Sequence, residues 1–476
     1  LLNGLTILSS SADLDADIRE VRYDSRAVEE GDLFVAITGA ETDGHKYIPM
    51  AREKGAACVV CQTVPEDGTP YVQVVDSRRA LAVIGANRFD HPADELTMIG
   101  VTGTSGKTTS TYLIKNILEQ KAGAKVGLIG TIQNMIGDRV LHTERTTPES
   151  YDLQKLLREM SDAGCSHVVM EVSSHALCLD RVYGIRYAVG VYTNLSRDHL
   201  DFHHTMEAYC DAKAILFDHC DAGIYNADDP WHERLMQSAK CPRRFSYAVH
   251  GQADLMAKNV QLHAGSVDFD AEADTEWAHV HVGIPALFTV YNTLDAMACC
   301  WNLGVPLEEC ADALAKNHGV KGRMEIIPTP GKDYTILNDY SHKPDALENV
   351  LQSVKGFAKG RTVVLFGCGG DRDKTKRPVM GAIAAQLADF VIVTSDNPRT
   401  EKPEAIIADI LEGMKDTATP YVTIPDRVEA IHYAMDHAQP GDVIVLAGKG
   451  HEDYQEIDHK HYPMDERVIV AEYLNR

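Results

Sequence analysis

Thr97-Met98-Ile99-Gly100-Val101-Thr102-Gly103-Thr104-Ser105-Gly106-Lys107-Thr108-Thr109 decides how this chain folds. The apolar run 97–101 reads as a strand, the glycine-containing segment as a tight loop, and the pattern over 108–120 as a helix. Strand, glycine-rich loop and helix in that order make a cradle for phosphate. Glycine lets the main chain approach phosphate oxygens closely, and a helix start presents unpaired N–H groups to them. In that setting Lys107 supplies a point charge for the β- and γ-phosphates, and Thr108 a hydroxyl for Mg²⁺. The spacing departs from G-x-x-x-x-G-K-[ST]: Val101 stands where the first glycine is expected, and Gly103 supplies the freedom instead.

Working outward, strands over 167–170 and 188–192 alternate with helices over 150–163 and 205–217. Such alternation predicts a mostly parallel sheet covered on both faces, with ligands beyond the carboxyl ends of its strands. Polar residues fall at those ends: Glu171, a hard oxygen donor suited to a cation beside phosphate, then Thr193-Asn194 through His199, where His199 is a second candidate ligand. The first ninety or so residues read as a small α/β domain. It has strands over 32–37 and 57–60, a turn at Thr42-Asp43-Gly44, a helix over 47–54 stopped by Gly55, and His91-Pro92 at its end. A third block follows Arg323, with strands over 362–366, 390–394 and 443–446, each running into a polar loop.

At 476 residues the chain is long enough for several cores. Its 44% hydrophobic and 24% charged residues are those of a soluble globular protein. A net charge of −24 argues against general nucleic-acid or anionic-membrane binding. An anionic substrate then needs a local basic cluster, and Arg372, Lys374, Lys376 and Arg377 offer one. The eleven cysteines show no framework; Cys58 and Cys61, inside an apolar run, read as packing residues rather than a redox or zinc pair. No secretory signal and no apolar run of membrane-spanning length occurs, so a reducing cytoplasm is expected, with a short piece preceding Leu1.

Taken together the chain resembles the Mur ligase family of ATP-dependent amide-forming enzymes. The likeness is carried by residues 102–109, Thr146-Thr147-Pro148-Glu149-Ser150, Glu171-Val172-Ser173-Ser174-His175, 193–201, Gly322-Arg323-Met324-Glu325, Asp339-Tyr340-Ser341-His342, 369–378, Asp396-Asn397-Pro398-Arg399 and 448–452, in family order. It implies an α/β protein of three domains. These are a small UDP-binding α/β domain (1–93), a central P-loop-type, mostly parallel sheet with flanking helices that binds ATP (94–322), and a Rossmann-like α/β domain that binds the amino acid (323–476). Within the family it most resembles members that add the third stem-peptide residue to UDP-N-acetylmuramoyl-L-alanyl-D-glutamate through an acyl phosphate.

The resemblance also implies roles. Lys107, Glu171, His199 and Lys213 form the catalytic set; Thr108, Glu171, His199 and Lys213 hold Mg²⁺. Lys213, by spacing alone a helix lysine with its head in solvent, becomes N6-carboxylysine formed from carbon dioxide or bicarbonate. ATP meets Gly103, Thr104, Ser105, Gly106, Lys107, Thr108, Thr109, Asn292, Arg323 and Asp339. The muramoyl dipeptide meets Ser25, Thr146, Thr147, Ser173 and Arg181. Thr289, Ser341 and Lys343 depart from the family pattern around the nucleotide. A monomer without nucleic-acid partners or membrane insertion is expected, its last two domains closing over the substrates.

The added residue is expected to be meso-diaminopimelate, whose far carboxylate suits the planar fork of Arg399. Arg372, Asp396, Asn397, Pro398, Gly448 and Glu452 complete that pocket, Glu452 taking the distal ammonium. Lysine-adding and folylpolyglutamate-type ligases are the nearest alternatives. A nucleotide-binding scaffold without activity is disfavoured, because the whole catalytic set is present.

Overall fold

The computed structural model describes residues 1–39, 42–263, 265–316 and 319–475, which pack as two compact units, Leu1–Ser246 and Tyr247–Arg476. The first unit opens with a five-stranded sheet built from β1 (Ile7–Ser10), β2 (Val21–Arg22), β3 (Leu33–Val35), β4 (Cys58–Cys61) and β5 (Tyr71–Val74), in the order β1-β5-β4-β3-β2. All pairings are parallel except β1 with β5. Strand alternation sends Cys58 with Val60 into one core and Cys61 with Val59 into the other. The two thiols therefore face apart and cannot share a metal, and burial pushes each up to about 11.

The second sheet holds β6 (Thr97–Thr102), β7 (Val126–Ile129), β8 (Asn134–Ile136), β9 (Arg139–Leu141), β10 (His167–Glu171), β11 (Tyr187–Tyr192) and β12 (Cys220–Asn226). Its order within this unit is β12-β11-β6-β10-β7-β8-β9. The first five run parallel, as the βα alternation predicts; β8 and β9 add an antiparallel edge that the sequence reading did not include. Register positions the chemistry. Glu171 lies level with Val101, and Tyr192 with Thr102, so the loops leaving β10, β6 and β11 emerge side by side. Met98, Val168 and Met170 pack under them with Leu153 and Leu157 of helix Ser150–Asp162. The helix expected over 205–217 is an α-helix, Met206–Ala214, continued by a 3₁₀ turn, Ile215–His219.

The chain enters the second unit within β13 (Arg243–Ala248). An antiparallel trio, β14 (Leu255–Leu262), β15 (Val267–Glu272) and β16 (Trp277–Val282), is backed by helix Leu287–Asn302. A six-stranded sheet follows, from β17 (Glu325–Ile327), β18 (Thr335–Asp339), β19 (Thr362–Phe366), β20 (Phe390–Val393), β21 (Tyr421–Thr423) and β22 (Val443–Ala447), ordered β17-β18-β22-β19-β20-β21. Only β17 is antiparallel. The loops after β18, β22, β19 and β20 thus share one edge, where an open parallel sheet binds ligands. A hairpin of β23 (Tyr454–Ile457) and β24 (Lys460–Pro463) lies beyond β22 in sequence. Among the described residues no helix is long and apolar enough to cross a membrane.

Candidate active site

The loop between β6 and helix Lys107–Lys121 takes backbone angles that favour glycine: φ is 151° at Gly103 and 89° at Gly106. Neighbouring loops hold it. Thr104 N donates to Asn194 O at 2.9 Å, Ser105 N to Asn194 Oδ1 at 3.0 Å, and Thr193 Oγ1 to Ser105 O at 2.6 Å. Lys107 Nζ folds back on the loop, donating to Gly103 O and Thr104 O at 2.9 Å each. A β-carbon on Gly103 would lie 1.8 Å from Thr193 Oγ1. Gly103→Ala is therefore expected to cost about 1–3 kcal/mol and to weaken ADP binding at least tenfold, read by thermal unfolding and calorimetry.

Glu171, at the end of β10, is 1% exposed. Its Oε1 accepts from Thr108 Oγ1 and from Thr131 N, both at 2.9 Å; Oε2 accepts from Thr131 Oγ1 at 3.0 Å. Thr131 Oγ1 also lies 3.0 Å from Thr146 Oγ1. A cluster of carboxylate and hydroxyl oxygens beside a phosphate loop suits a hard cation. Thr131 was not among the sequence candidates, although it lies just past the end of β7 as Glu171 lies at the end of β10. Glu171→Gln would set an amide donor against a ring of donors. We expect kcat to fall about 10²-fold and the melting temperature by a few degrees, measured by ADP release and calorimetry.

Lys213 does not hold its head in solvent. Helix Met206–Ala214 turns it inward to 1% exposure, with Nζ donating to Gly103 O at 2.9 Å and lying 4.4 Å from the Tyr209 ring centre. Burial, reinforced by the Lys107 charge, holds the amine well below the ordinary lysine range. His199 approaches the same Tyr209 ring edge-on at 6.1 Å, has a left-handed φ of 53°, and pairs with Asp198 at 3.4 Å. The structure thus brings Lys107, Thr108, Glu171, Lys213 and His199 around one loop. Among the described residues no three His, Cys, Asp or Glu side chains form a ready-made cation cage.

A cavity of about 750 Å³ opens in the same unit, lined in part by Ser25, Met50, Arg78, Arg145 and Arg181. Ser25 starts a 3₁₀ turn capped by Asp24 and is buried. Thr147 Oγ1 donates to Glu171 O at 2.8 Å, and Ser173 caps helix Ser174–Cys178 through Ala176 N. Turn and cap chemistry therefore accounts for part of the signal that marked these residues.

In the second unit, Asn292 is buried in helix Leu287–Asn302 and Thr289 Oγ1 donates to Pro285 O at 2.8 Å. Asp339 ends β18, accepts from Met324 N at 2.8 Å and from the Ser341 hydroxyl, and is pushed up by burial against the opposing pull of Arg323. Arg323 sits 5.1 Å over the Tyr340 ring, its Nε buried without a hydrogen-bond partner. The loop Ser395–Arg399 meets 448–452 through a buried network. Asn397 Nδ2 donates to Glu452 Oε2 at 2.9 Å, and Lys449 Nζ donates to Asn397 Oδ1 at 2.8 Å and Glu452 Oε2 at 2.7 Å. Arg399 pairs with Glu456 at 2.8 Å and donates to Gly370 O at 2.9 Å. Asp396 Oδ2 is buried and unpartnered, and Gly448 at φ 112° passes so close that a β-carbon would come within 2.7 Å of it.

Of the basic cluster read over 372–377, three members are already engaged, whereas Arg372 is exposed and donates to the adjacent Asp371 O at 3.3 Å. Arg377 is fully buried and neutralised by Glu401 and Asp409 at 2.8 Å each; Lys374 pairs with Glu401 at 3.0 Å; Lys376 donates to His342 O at 2.8 Å. Only tertiary packing brings Glu401 and Asp409 to them. Lys449, absent from the sequence candidates, carries no local signal beyond its place in the glycine-flanked 448–450 segment.

A phosphate loop at the mouth of a parallel sheet, with an acidic strand end and a buried lysine beside it, defines a nucleotide-dependent enzyme of the P-loop type. The chain belongs to the Mur ligase family: its models match residues 17–89 (Mur ligase family, catalytic domain), 101–300 (Mur ligase middle domain) and 322–450 (Mur ligase, glutamate ligase domain). The chain is 48% identical over 465 residues to UDP-N-acetylmuramoyl-L-alanyl-D-glutamate--2,6-diaminopimelate ligase 1 of Clostridium acetobutylicum, covering 97% of this chain and 96% of that one. The ligase of that name without the number, from Clostridium botulinum, is 45% identical, with 96% and 95% covered. A solved structure of a UDP-N-acetylmuramoyl-L-alanyl-D-glutamate--2,6-diaminopimelate ligase superposes with a TM-score of 0.71 at 32% identity, covering 97% of each chain.

Proposed function

We propose that the chain joins meso-diaminopimelate to the D-glutamate γ-carboxylate of UDP-N-acetylmuramoyl-L-alanyl-D-glutamate, converting ATP to ADP through an acyl phosphate. The observation that carries this reading is the full-length 48% identity to a ligase named for that dipeptide and that amino acid. In this reading, Lys107 leaves Gly103 O and Thr104 O to meet phosphate, while the N–H groups of 103–109 cradle it. The γ-carboxylate takes the γ-phosphoryl group, the incoming amine adds to the acyl carbon, and phosphate leaves the tetrahedral adduct. The protein orients these groups and neutralises developing charge.

Thr108 and Glu171 offer oxygens that fit Mg²⁺, with His199 and Lys213 completing the set. When bound, Mg²⁺ neutralises phosphate and acyl oxygens. A Lys213 ammonium does not fit a cation site, but burial disfavours the ammonium, and the free amine fits carbon dioxide. The nitrogen bonds to carbon, a proton departs, and the N6-carboxylate that results is an anionic oxygen donor. Arg323, Asp339 and Asn292 would meet the nucleotide. Arg399, Asn397, Glu452 and their neighbours would meet diaminopimelate.

The division into 1–93, 94–322 and 323–476 is supported by the family-model bounds. The reading includes a cytoplasmic monomer, in keeping with the lack of a disulfide among the described residues; sedimentation velocity tests the monomer. The test of function is ADP release with magnesium, bicarbonate, the muramoyl dipeptide and a panel of diaminopimelate, lysine and glutamate. Turnover is expected with diaminopimelate; none with any amine would end this reading.

A further inference from the structure

The cavity of the first unit carries more positive charge than Arg181 alone explains. Glu149, the residue before helix Ser150–Asp162, is 4% exposed and faces three guanidinium groups. Arg78 Nη1 lies 3.5 Å from both of its oxygens, Arg145 Nη1 3.7 Å from Oε2, and Arg181 Nε 3.4 Å from Oε2. Charge-assisted N–H···O⁻ bonds normally close to about 2.7–2.9 Å, so this carboxylate stands between the arginines without closing on any of them. Arg181 Nε is buried with no hydrogen-bond partner, and Arg78, Arg145, Glu149 and Arg181 all line the cavity. Three cations against one carboxylate leave two positive charges at the recess, Arg145 half in solvent and Arg78 also donating to Thr38 O at 2.6 Å and Leu179 O at 3.2 Å, an arrangement that favours an anion there.

We propose that Arg78 and Arg145, spaced with Arg181 around Glu149, hold the α-carboxylate of the substrate's D-glutamate, so that only its γ-carboxylate reaches the phosphate loop. The proposal rests on the substrate reading above and deepens it, assigning the choice between two chemically similar carboxylates. Placement favours the peptide end of the substrate. Arg181 Nη1 donates to Thr147 O at 3.3 Å, Thr147 Oγ1 to Glu171 O at 2.8 Å, and Glu171 meets Thr108 of the phosphate loop. Arg181 is thus two hydrogen bonds removed from the loop's acidic neighbour, and Glu149 ties Arg78 and Arg145 to it. In the substrate, the glutamyl carboxylates are the anions that must come nearest that loop, whereas the diphosphate is separated from them by the sugar.

Calorimetric binding to the full chain tests this, with three titrants: UDP-N-acetylmuramoyl-L-alanyl-D-glutamate, its α-carboxamide analogue, and UDP-N-acetylmuramate without peptide. Arg145 is half-exposed, so Arg145→Gln should fold normally; Arg78→Gln is the second variant, and ADP affinity reports on integrity. The expected result is about 10- to 100-fold weaker binding of the dipeptide, little loss for the α-carboxamide, and none for UDP-N-acetylmuramate. Equal weakening of all three would assign the arginines to the diphosphate and overturn the proposal. Unchanged dipeptide affinity in both variants would overturn it as well. Wild-type protein that binds none of the three removes the substrate reading itself; wild-type binding with unaltered discrimination in the variants removes only this inference.

Discussion

Lys213→Met is expected to lower kcat by about 10²- to 10³-fold while raising the melting temperature. The amine is fully buried, with Gly103 O and the face of Tyr209 about it and Lys107 repelling its charge. An unmodified lysine there costs folding energy, and a methionine of similar volume removes that cost, on the order of 1–3 kcal/mol. The pH dependence follows from the direction of the shift. Burial lowers the proton affinity of Lys213 in the folded state below that in the unfolded chain, so between the two titrations unfolding takes up a proton. Wild-type stability relative to Lys213→Met should therefore rise with pH until the unfolded lysine itself titrates near about 10.4. Bicarbonate supplies the second reading: ¹³C-bicarbonate should give a carbamate carbon resonance in wild-type protein and none in the variant. A variant that turns over normally, or wild-type protein without that resonance while active, would remove the assigned role of this lysine.

Arg399→Ala should reduce kcat/KM for diaminopimelate by about 10²-fold or more, with the KM values for ATP and the muramoyl dipeptide unchanged. Arg399 leaves β20 through Pro398 at a φ of 51°, held by Glu456 at 2.8 Å and Gly370 O at 2.9 Å. Those two anchors leave the rest of the fork for a carboxylate, a geometry that lysine's single ammonium cannot reproduce. Arg399→Lys should therefore keep the loop's charge balance with Glu456 yet recover little of the diaminopimelate activity. L-Lysine lacks the far carboxylate, so whatever slow use the wild type makes of it should change little. The ratio of the two amino acids is the quantity to measure. Equal diaminopimelate turnover before and after the change would show that the pocket lies elsewhere.

Local pattern alone revealed the phosphate loop, the βα alternation around it, and Glu171 at a strand end, because each is a matter of periodicity or of adjacent residues. Cys58 and Cys61 were legible for the same reason: strand alternation sends neighbours three apart to opposite faces. The antiparallel edge of β8 and β9 escaped that reading, since strands of three residues each are too short to show a period. Sheet order was out of reach too; nothing local says that β10 and β11 flank β6, yet that neighbourhood brings Glu171 and Thr193 to the loop. Charge was misread where partners are distant in sequence, as at Arg377, whose acids arrive from 24 and 32 residues away. Lys213 makes the division sharpest. Its sequence context suits a solvated helix face, and only folding takes its amine out of water, because desolvation belongs to the packed neighbourhood and not to the residue.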